Sequence, residues 1–371
     1  MLKMRGFRAA GSLKNSFLFS LLAFLIIFCV AFTAGCGQTK KEVSPAEITI
    51  TDSLGRSVSV PQPLEKVVVL NGDVAEALSI IGVRDAIIGI SDTVQQNPYL
   101  GLQDKPVVGK WDNPSVEKIV ELKPQVVLTY SKWPGGELEQ KLEPAGVKVV
   151  RLDFFKPETY DKDLLALARM FVKVRQAEDF IKWKAEKVAM LSKNLQDLPN
   201  EKKVRVFAIW ESNLSKETWK TFGQGSAVDQ CIKMAGGNNI AGSLESYPQV
   251  NAEWILKENP AFVAVGVSEG KGLGYTVADF NQAKAIREEA FQNGVLRATE
   301  AVKEGRVCLI HTKLFGSDKT YIGALYLAKW LYPERFKDVN PDRVLKEYFD
   351  KWLHVPFKGR WAYPESTESL R

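Results

Sequence analysis

The side chains able to do covalent or metal chemistry are few, and their spacing does not suit it. Among 371 residues only His311 and His354 are histidines, and the cysteines are Cys29, Cys36, Cys231 and Cys308. A carrier of bare zinc or manganese needs converging imidazole and carboxylate ligands, which two distant histidines do not supply, so no metal site is expected. There is no Gly-x-Ser-x-Gly elbow, no His-Glu-x-x-His and no plausible cysteine–histidine pair, so an exported hydrolase is the weak alternative and no catalytic residue or cofactor is expected. Glu269-Gly270-Lys271-Gly272-Leu273-Gly274 is glycine-spaced, yet it lacks the Lys-Ser/Thr pair of a phosphate loop and reads as a mobile surface loop.

What remains is the chemistry of recognition. Asn71, Asp73, Trp111, Tyr130, Lys132, Trp133, Trp210 and Tyr247 follow the ends of apolar runs, with Asp112, Glu211 and Ser268 beside them. Aromatic faces offer contact area at little entropic cost, which suits large flat ligands. Lys132, Lys216, Lys220, Lys271 and Lys313 fall in expected loops and would attract an anion if clustered. Arginine, the usual two-pronged reader of carboxylates, is scarce there, which argues against a citrate-type ligand. Trp219 and Trp254 are weaker candidates, and Trp254 reads as core.

These residues must be positioned by the elements around them. Ser115-x-Glu117-x-Ile119-x-x-x-x-Pro124-x-x-Val127 recurs as Asn251-x-Glu253-x-Ile255-x-x-x-x-Pro260-x-x-Val263. Each copy follows an apolar strand and a short helix ending in glycine: 67–70 with 73–82, and 204–209 with 226–236. Further strands are expected over 86–90, 125–130, 147–152, 262–266 and 307–310, with helices over 115–122, 137–142, 252–257, 321–331 and 342–352, and a hairpin over 48–60. Strands alternating with helices imply a parallel sheet flanked by helices. Residues 158–198 lack both glycine and proline and carry apolar residues at three- and four-residue steps, which predicts one amphipathic helix roughly 60 Å long. The fold class expected is therefore α/β, two similar lobes (47–157 and 199–371), each with a mostly parallel sheet, bridged by one long helix.

The N-terminus carries a targeting pattern. Basic Lys3, Arg5, Arg8 and Lys14 precede an apolar run over 17–32, small residues and Cys36. Four of the six net positive charges lie there, leaving +2 for the rest, which is no argument for nucleic acid. Residues 1–35 read as a lipoprotein signal peptide, Cys36 as the lipidated residue and 36–46 as its tether, although Thr33 stands where leucine is usual. Cys231 and Cys308 read as buried free thiols.

Together the paired motifs, the Gly236-Gly237-Asn238-Asn239-Ile240 turn and the tail from Leu327 through Pro341 resemble the substrate-binding lipoproteins of iron-siderophore, haem and cobalamin ABC importers. The resemblance spans about 48–353. It implies a ligand in the cleft between the lobes and limited hinge closing, and it places aromatics at Trp111, Tyr130 and Tyr247 against a corrinoid. It implies docking to a permease through a glutamate six residues before the helix-ending glycine: Glu76 in the first lobe, with Gln230 at the second position and Asp229 beside it as a substitute. The expectation is an exported, monomeric carrier, lipid-anchored at the outer face of the cytoplasmic membrane or periplasmic. It would capture a ferric-siderophore-type chelate and deliver it to a permease with a cytoplasmic ATPase. A corrinoid or haem is the alternative ligand, and a free metal or an oxyanion is less favoured. His311, ending a strand, reads as a hydrogen-bonded structural residue rather than an axial ligand to haem iron.

Overall fold

The computed structural model describes residues 46–365; the expected signal segment 1–35, Cys36 and the expected tether up to residue 45 lie outside them. Among the described residues no helix is long and apolar enough to cross a membrane.

The described residues open with an antiparallel hairpin, β1 (Ala46–Thr51) and β2 (Ser57–Gln62). The first sheet then takes β3 (Val67–Val69), β4 (Ile87–Ile90), β5 (Val126–Thr129) and β6 (Lys148–Arg151) in the order β4-β3-β5-β6, all parallel. Its helices are α1 (Gly72–Ile80), α2 (Val116–Leu122) and α3 (Glu137–Leu142). The second sheet has β7 (Arg205–Trp210), β9 (Asn238–Asn239), β11 (Phe262–Val267), β12 (Val307–His311) and β13 (Ala362–Tyr363), ordered β13-β12-β11-β7-β9. Only β13 runs antiparallel in it. A separate pair joins β8 (Trp219–Lys220) to β10 (Gln249–Val250).

The repeated motif is a piece of local chemistry used twice. Ser115 Oγ accepts from Lys118 N at 3.3 Å, capping α2, and Asn251 Oδ1 accepts from Trp254 N at 2.9 Å, capping α7 (Ala252–Glu258). Such caps satisfy amide donors that the first helical turn leaves free. Ile119 and Ile255 are fully buried. Both helices end on a left-handed residue, Lys123 at φ 52° and Asn259 at φ 37°, before proline and the next strand.

Side chains alternate across each sheet. Val67, Val69, Val126, Leu128 and Val150 share one core with Val206, Ala208, Ala264, Cys308 and Ile310 of the second sheet. Val68, Val127 and Val149 face a separate core, as do Phe207, Ile209, Val263 and Val265 on theirs. Strands buried on both faces read as continuous apolar runs. One face of both sheets therefore feeds a single apolar mass, built with α4 (Tyr160–Met170), α5 (Val174–Leu195) and α9 (Thr320–Leu331). Cys231 and Cys308 are free and buried.

Two expectations are corrected. The segment 158–198 is not one helix but two, α4 and α5, and the longer has 22 residues, about 33 Å. At the break Val172 takes φ 55°, a costly conformation for a β-branched residue. Val172 N donates to Arg169 O and Lys173 N to Ala168 O at 2.8 Å, a paired ending of the Schellman type. The exposed carbonyls are taken up by the hairpin: Gln62 Nε2 reaches Arg169 O at 2.6 Å and Leu64 N reaches Met170 O at 2.9 Å. The second concerns the glycine-spaced stretch 269–274, expected as a mobile surface loop: Gly272, Leu273 and Gly274 are buried, and α8 (Asn281–Gln292), anchored by buried Ala283 and Ala290, follows it. The stretch folds back on itself. Gly270 N donates to Leu273 O, and the Glu269 carboxylate sits where a Cβ at Gly274 would be.

Candidate functional site

The carboxyl ends of the two sheets carry two aromatic groups. On the first lobe Trp111 stands edge-on to Tyr130, with ring centroids 5.8 Å apart, and Tyr130 meets Phe155 at 5.8 Å. On the second, Trp210 packs edge-on against Phe222 at 4.5 Å, and Phe222 meets Tyr247 at 6.0 Å. Trp111, Tyr130 and Trp210 are half-buried, while Tyr247 is 58% exposed and Trp133 55%. Large apolar rings left partly open at strand ends are available to a ligand rather than used up in the core. Gly266 is needed here: a Cβ on it would lie 2.1 Å from the Trp210 ring.

Phe155, Phe222 and Phe315 escaped the sequence reading, because a phenylalanine outside a recognised motif looks like ordinary core; Phe222 and Phe315 are buried and Phe155 is half-buried. Phe222 and Phe315 back the second wall, 6.4 Å apart. Trp219 is buried in the core of its lobe, and Trp254 packs against the same core.

Charged groups join the lobes beside these walls. Lys313 Nζ lies 2.8 Å from Asp73 Oδ1, and Ser317 Oγ lies 3.2 Å from the same oxygen. Burial pushes the Lys313 ammonium pKa down, but Asp73, Glu76 and Asp318 outweigh that and hold it well above the ordinary lysine value. The Tyr130 phenol is pushed up by burial and by Asp73, so it meets a ligand as a neutral donor. Of the loop lysines, Lys313 is the one that the fold seats between the lobes; Lys132, Lys216, Lys220 and Lys271 are exposed.

Three expected site residues have other work. Asn71 is fully buried and caps α1, its Oδ1 accepting from Val74 N at 2.7 Å. Glu76 is not a lobe-tip acid. It is fully buried, 2.5 Å from Lys319 Nζ, and accepts from Tyr99 at 2.6 Å and Tyr348 at 3.0 Å. The reason is that every residue from Asp73 to Ile80 is buried, and the C-terminal turn Tyr348–Leu353 packs on that helix. Asp229 is not at the surface either: 1% exposed, it accepts from Asn239 Nδ2 at 2.9 Å and Lys233 Nζ at 2.6 Å, tying α6 (Ala227–Met234) to β9. Gln230 instead reaches Glu158 at 2.9 Å.

His311 is buried; its Nδ1 accepts from Lys313 N at 3.2 Å, its Nε2 faces Glu269 at 3.3 Å, and Trp361 lies edge-on at 4.8 Å. It caps the short helical turn Thr312–Phe315 that carries Lys313. Among the described residues no group of three or more His, Cys, Asp or Glu could hold a metal ion. Apart from these rings, a depression of about 470 Å³ is lined by Gly82, Lys173, Lys182, Trp183, Lys351 and His354, with acids Asp179 and Glu186 among them.

Residues 67–314 match the family described as "Periplasmic binding protein". The chain is 23% identical to the molybdate-binding protein MolA of Haemophilus influenzae, covering 84% of this chain and 93% of that one. It is 26% identical to a cobalamin-binding protein of Halobacterium salinarum, covering 71% and 68%. Among solved structures, the TroA-like periplasmic binding protein FepB from Veillonella parvula superposes with a TM-score of 0.71 at 23% identity, covering 86% of this chain and all of that one.

Proposed function

The chain belongs to the periplasmic binding protein family, and from that premise we propose that it is the substrate-binding subunit of an ABC importer whose ligand is a metal chelate of the ferric-siderophore type. It is a binding protein and not an enzyme. The observation that carries the reading is the pair of aromatic groups at the strand ends, Trp111–Tyr130–Phe155 and Trp210–Phe222–Tyr247. Flat, partly open rings suit a ligand with broad faces. The metal is cargo held by its chelator. Partners follow from the family: a permease and a cytoplasmic ATPase. Lipidation at Cys36, with delivery at the outer face of the cytoplasmic membrane, completes the proposal.

A corrinoid is the second reading, favoured by the cobalamin-binding relative and by the same rings. Molybdate, the ligand named for the other relative, is a small oxyanion and calls for converging hydrogen-bond donors more than for flat walls.

The test is tryptophan fluorescence and calorimetric titration of the full chain in mild detergent. The probes are a ferric catecholate, a ferric hydroxamate, cyanocobalamin, haemin and sodium molybdate. Saturable binding of one chelate, weakened by Trp111→Ala or Tyr247→Ala, supports the proposal. Binding of molybdate with none of the chelates would overturn it.

A further inference from the structure

The segment Tyr130–Gly136 carries three of the candidate ligand contacts, Tyr130, Lys132 and Trp133, yet it has no helix or strand to hold it. Its backbone carbonyls turn inward instead. Arg151, the last residue of β6 and 2% exposed, shares the two hydrogens of Nη1 among Tyr130 O at 2.9 Å, Ser131 O at 3.2 Å and Pro134 O at 2.7 Å. Its Nη2 donates to Gly135 O at 3.2 Å. Thr129 Oγ1 takes Trp133 O at 2.9 Å, so five carbonyls of one loop end on two side chains. Asp153, two residues along, holds Ser131 through its amide at 2.9 Å and its hydroxyl at 2.5 Å.

The guanidinium is itself fixed. Glu139 receives its Nε and Nη2, both at 2.7 Å, and also receives Arg56 Nη1 at 2.6 Å from the β1–β2 turn. Arg56 is in turn paired with Asp52 at 2.7 Å. Two arginines and two carboxylates make a neutral quartet, so the buried charge is compensated. Only a planar fork with five donors can serve a carboxylate on one edge and several carbonyls on the other; an ammonium has three donors and no fixed plane.

We propose that Arg151 is a positioning residue for ligand capture: it holds Tyr130–Gly136 so that Tyr130, Lys132 and Trp133 are presented to the cleft already ordered. The proposal rests on the chelate-binding reading for its effect on affinity, but not for its effect on the loop. Without Arg151 the ligand would have to order the loop itself, which weakens binding.

The experiment is amide hydrogen exchange on the full chain, wild type against Arg151→Lys, alongside titration with the probes above. Exchange at least about tenfold faster within 130–136, with β3 and β5 still protected, supports the proposal. So does affinity about tenfold weaker for whichever probe binds, on the scale of ordering two or three side chains. Unchanged exchange in 130–136 overturns it. If Arg151→Lys loses protection throughout, the charge-neutral double variant Arg151→Met with Glu139→Gln is read by the same criterion. Global loss in both makes Arg151 a folding residue and overturns the proposal. If the wild type binds no probe, the proposed function fails while the exchange result still decides the role of Arg151.

Discussion

Lys313 Nζ lies 2.8 Å from Asp73 Oδ1, although 240 residues separate them in sequence. This contact spans the two lobes, and the short helical turn that carries Lys313 is capped by His311. Lys313→Met should therefore leave Asp73, 4% exposed, without its counter-charge. The expected loss is about 1–3 kcal/mol in urea denaturation, with Asp73→Asn in the same chain restoring part of it. A stability change within experimental error would show that solvent screens the pair.

Deeper in the same seam Lys319 is fully buried between Glu76 and Asp318, at 2.5 and 2.8 Å. Burial raises the Glu76 carboxyl pKa, but Lys319 and Lys313 outweigh that and hold it low; burial and the neighbouring Glu76 charge push the Asp318 carboxyl up. Lys319→Met should cost about 3–5 kcal/mol, the scale for orphaning a buried partner, and a double-mutant cycle with Glu76→Gln should give strong coupling. Independent, additive effects would contradict the network.

Tyr247 and Trp111 should separate binding from folding. Trp111 is half-buried and Tyr247 is largely exposed, so Tyr247→Ala should shift the melting temperature little while weakening chelate binding by about tenfold or more. Equal affinity for the wild type and both alanine variants would remove these rings from the ligand site.

Acid stability should carry a signature of His311. Burial holds its imidazole pKa below the ordinary value of 6.5; the contact with Glu269 opposes this, and Lys313 and Lys319 add to it. Because the folded-state value is depressed, the unfolded chain takes up the proton first as the pH falls. Stability should then decline as the pH drops through about 6.5, and His311→Asn should lack that part of the slope. Identical pH–stability curves between pH 5 and 8, tested by denaturation, would exclude the effect.

How much of this was legible beforehand follows from the range of each interaction. The doubled motif was read correctly because its caps, its buried isoleucine and its terminating proline act within a dozen residues. The alternation of Val67 to Val69 or Val126 to Leu128 between two cores is likewise local, and so the two parallel sheets could be placed from apolar runs alone. The break at Val172 could not, since neither glycine nor proline marks it and the carbonyls before it are taken by Gln62 of a distant hairpin and by Leu64 just beyond it.

The site divides in the same way. Trp111, Tyr130, Trp210 and Tyr247 could be nominated because strand ends are local features that the sequence marks. That Phe155 and Phe222 complete the walls, and that Arg151 holds the loop between Tyr130 and Gly136, depended on contacts across the sheet. Glu76 shows the limit best: its place six residues before Gly82 suggested an exposed docking acid, but Lys319 and Tyr348 enclose it. By itself the sequence determined the two-sheet α/β plan, the doubled motif and the aromatic candidates, all of which depend on near-neighbour hydrogen bonding and periodic burial. Only the tertiary structure decided which charges are buried and paired, because burial is set by whatever packs from elsewhere in the chain.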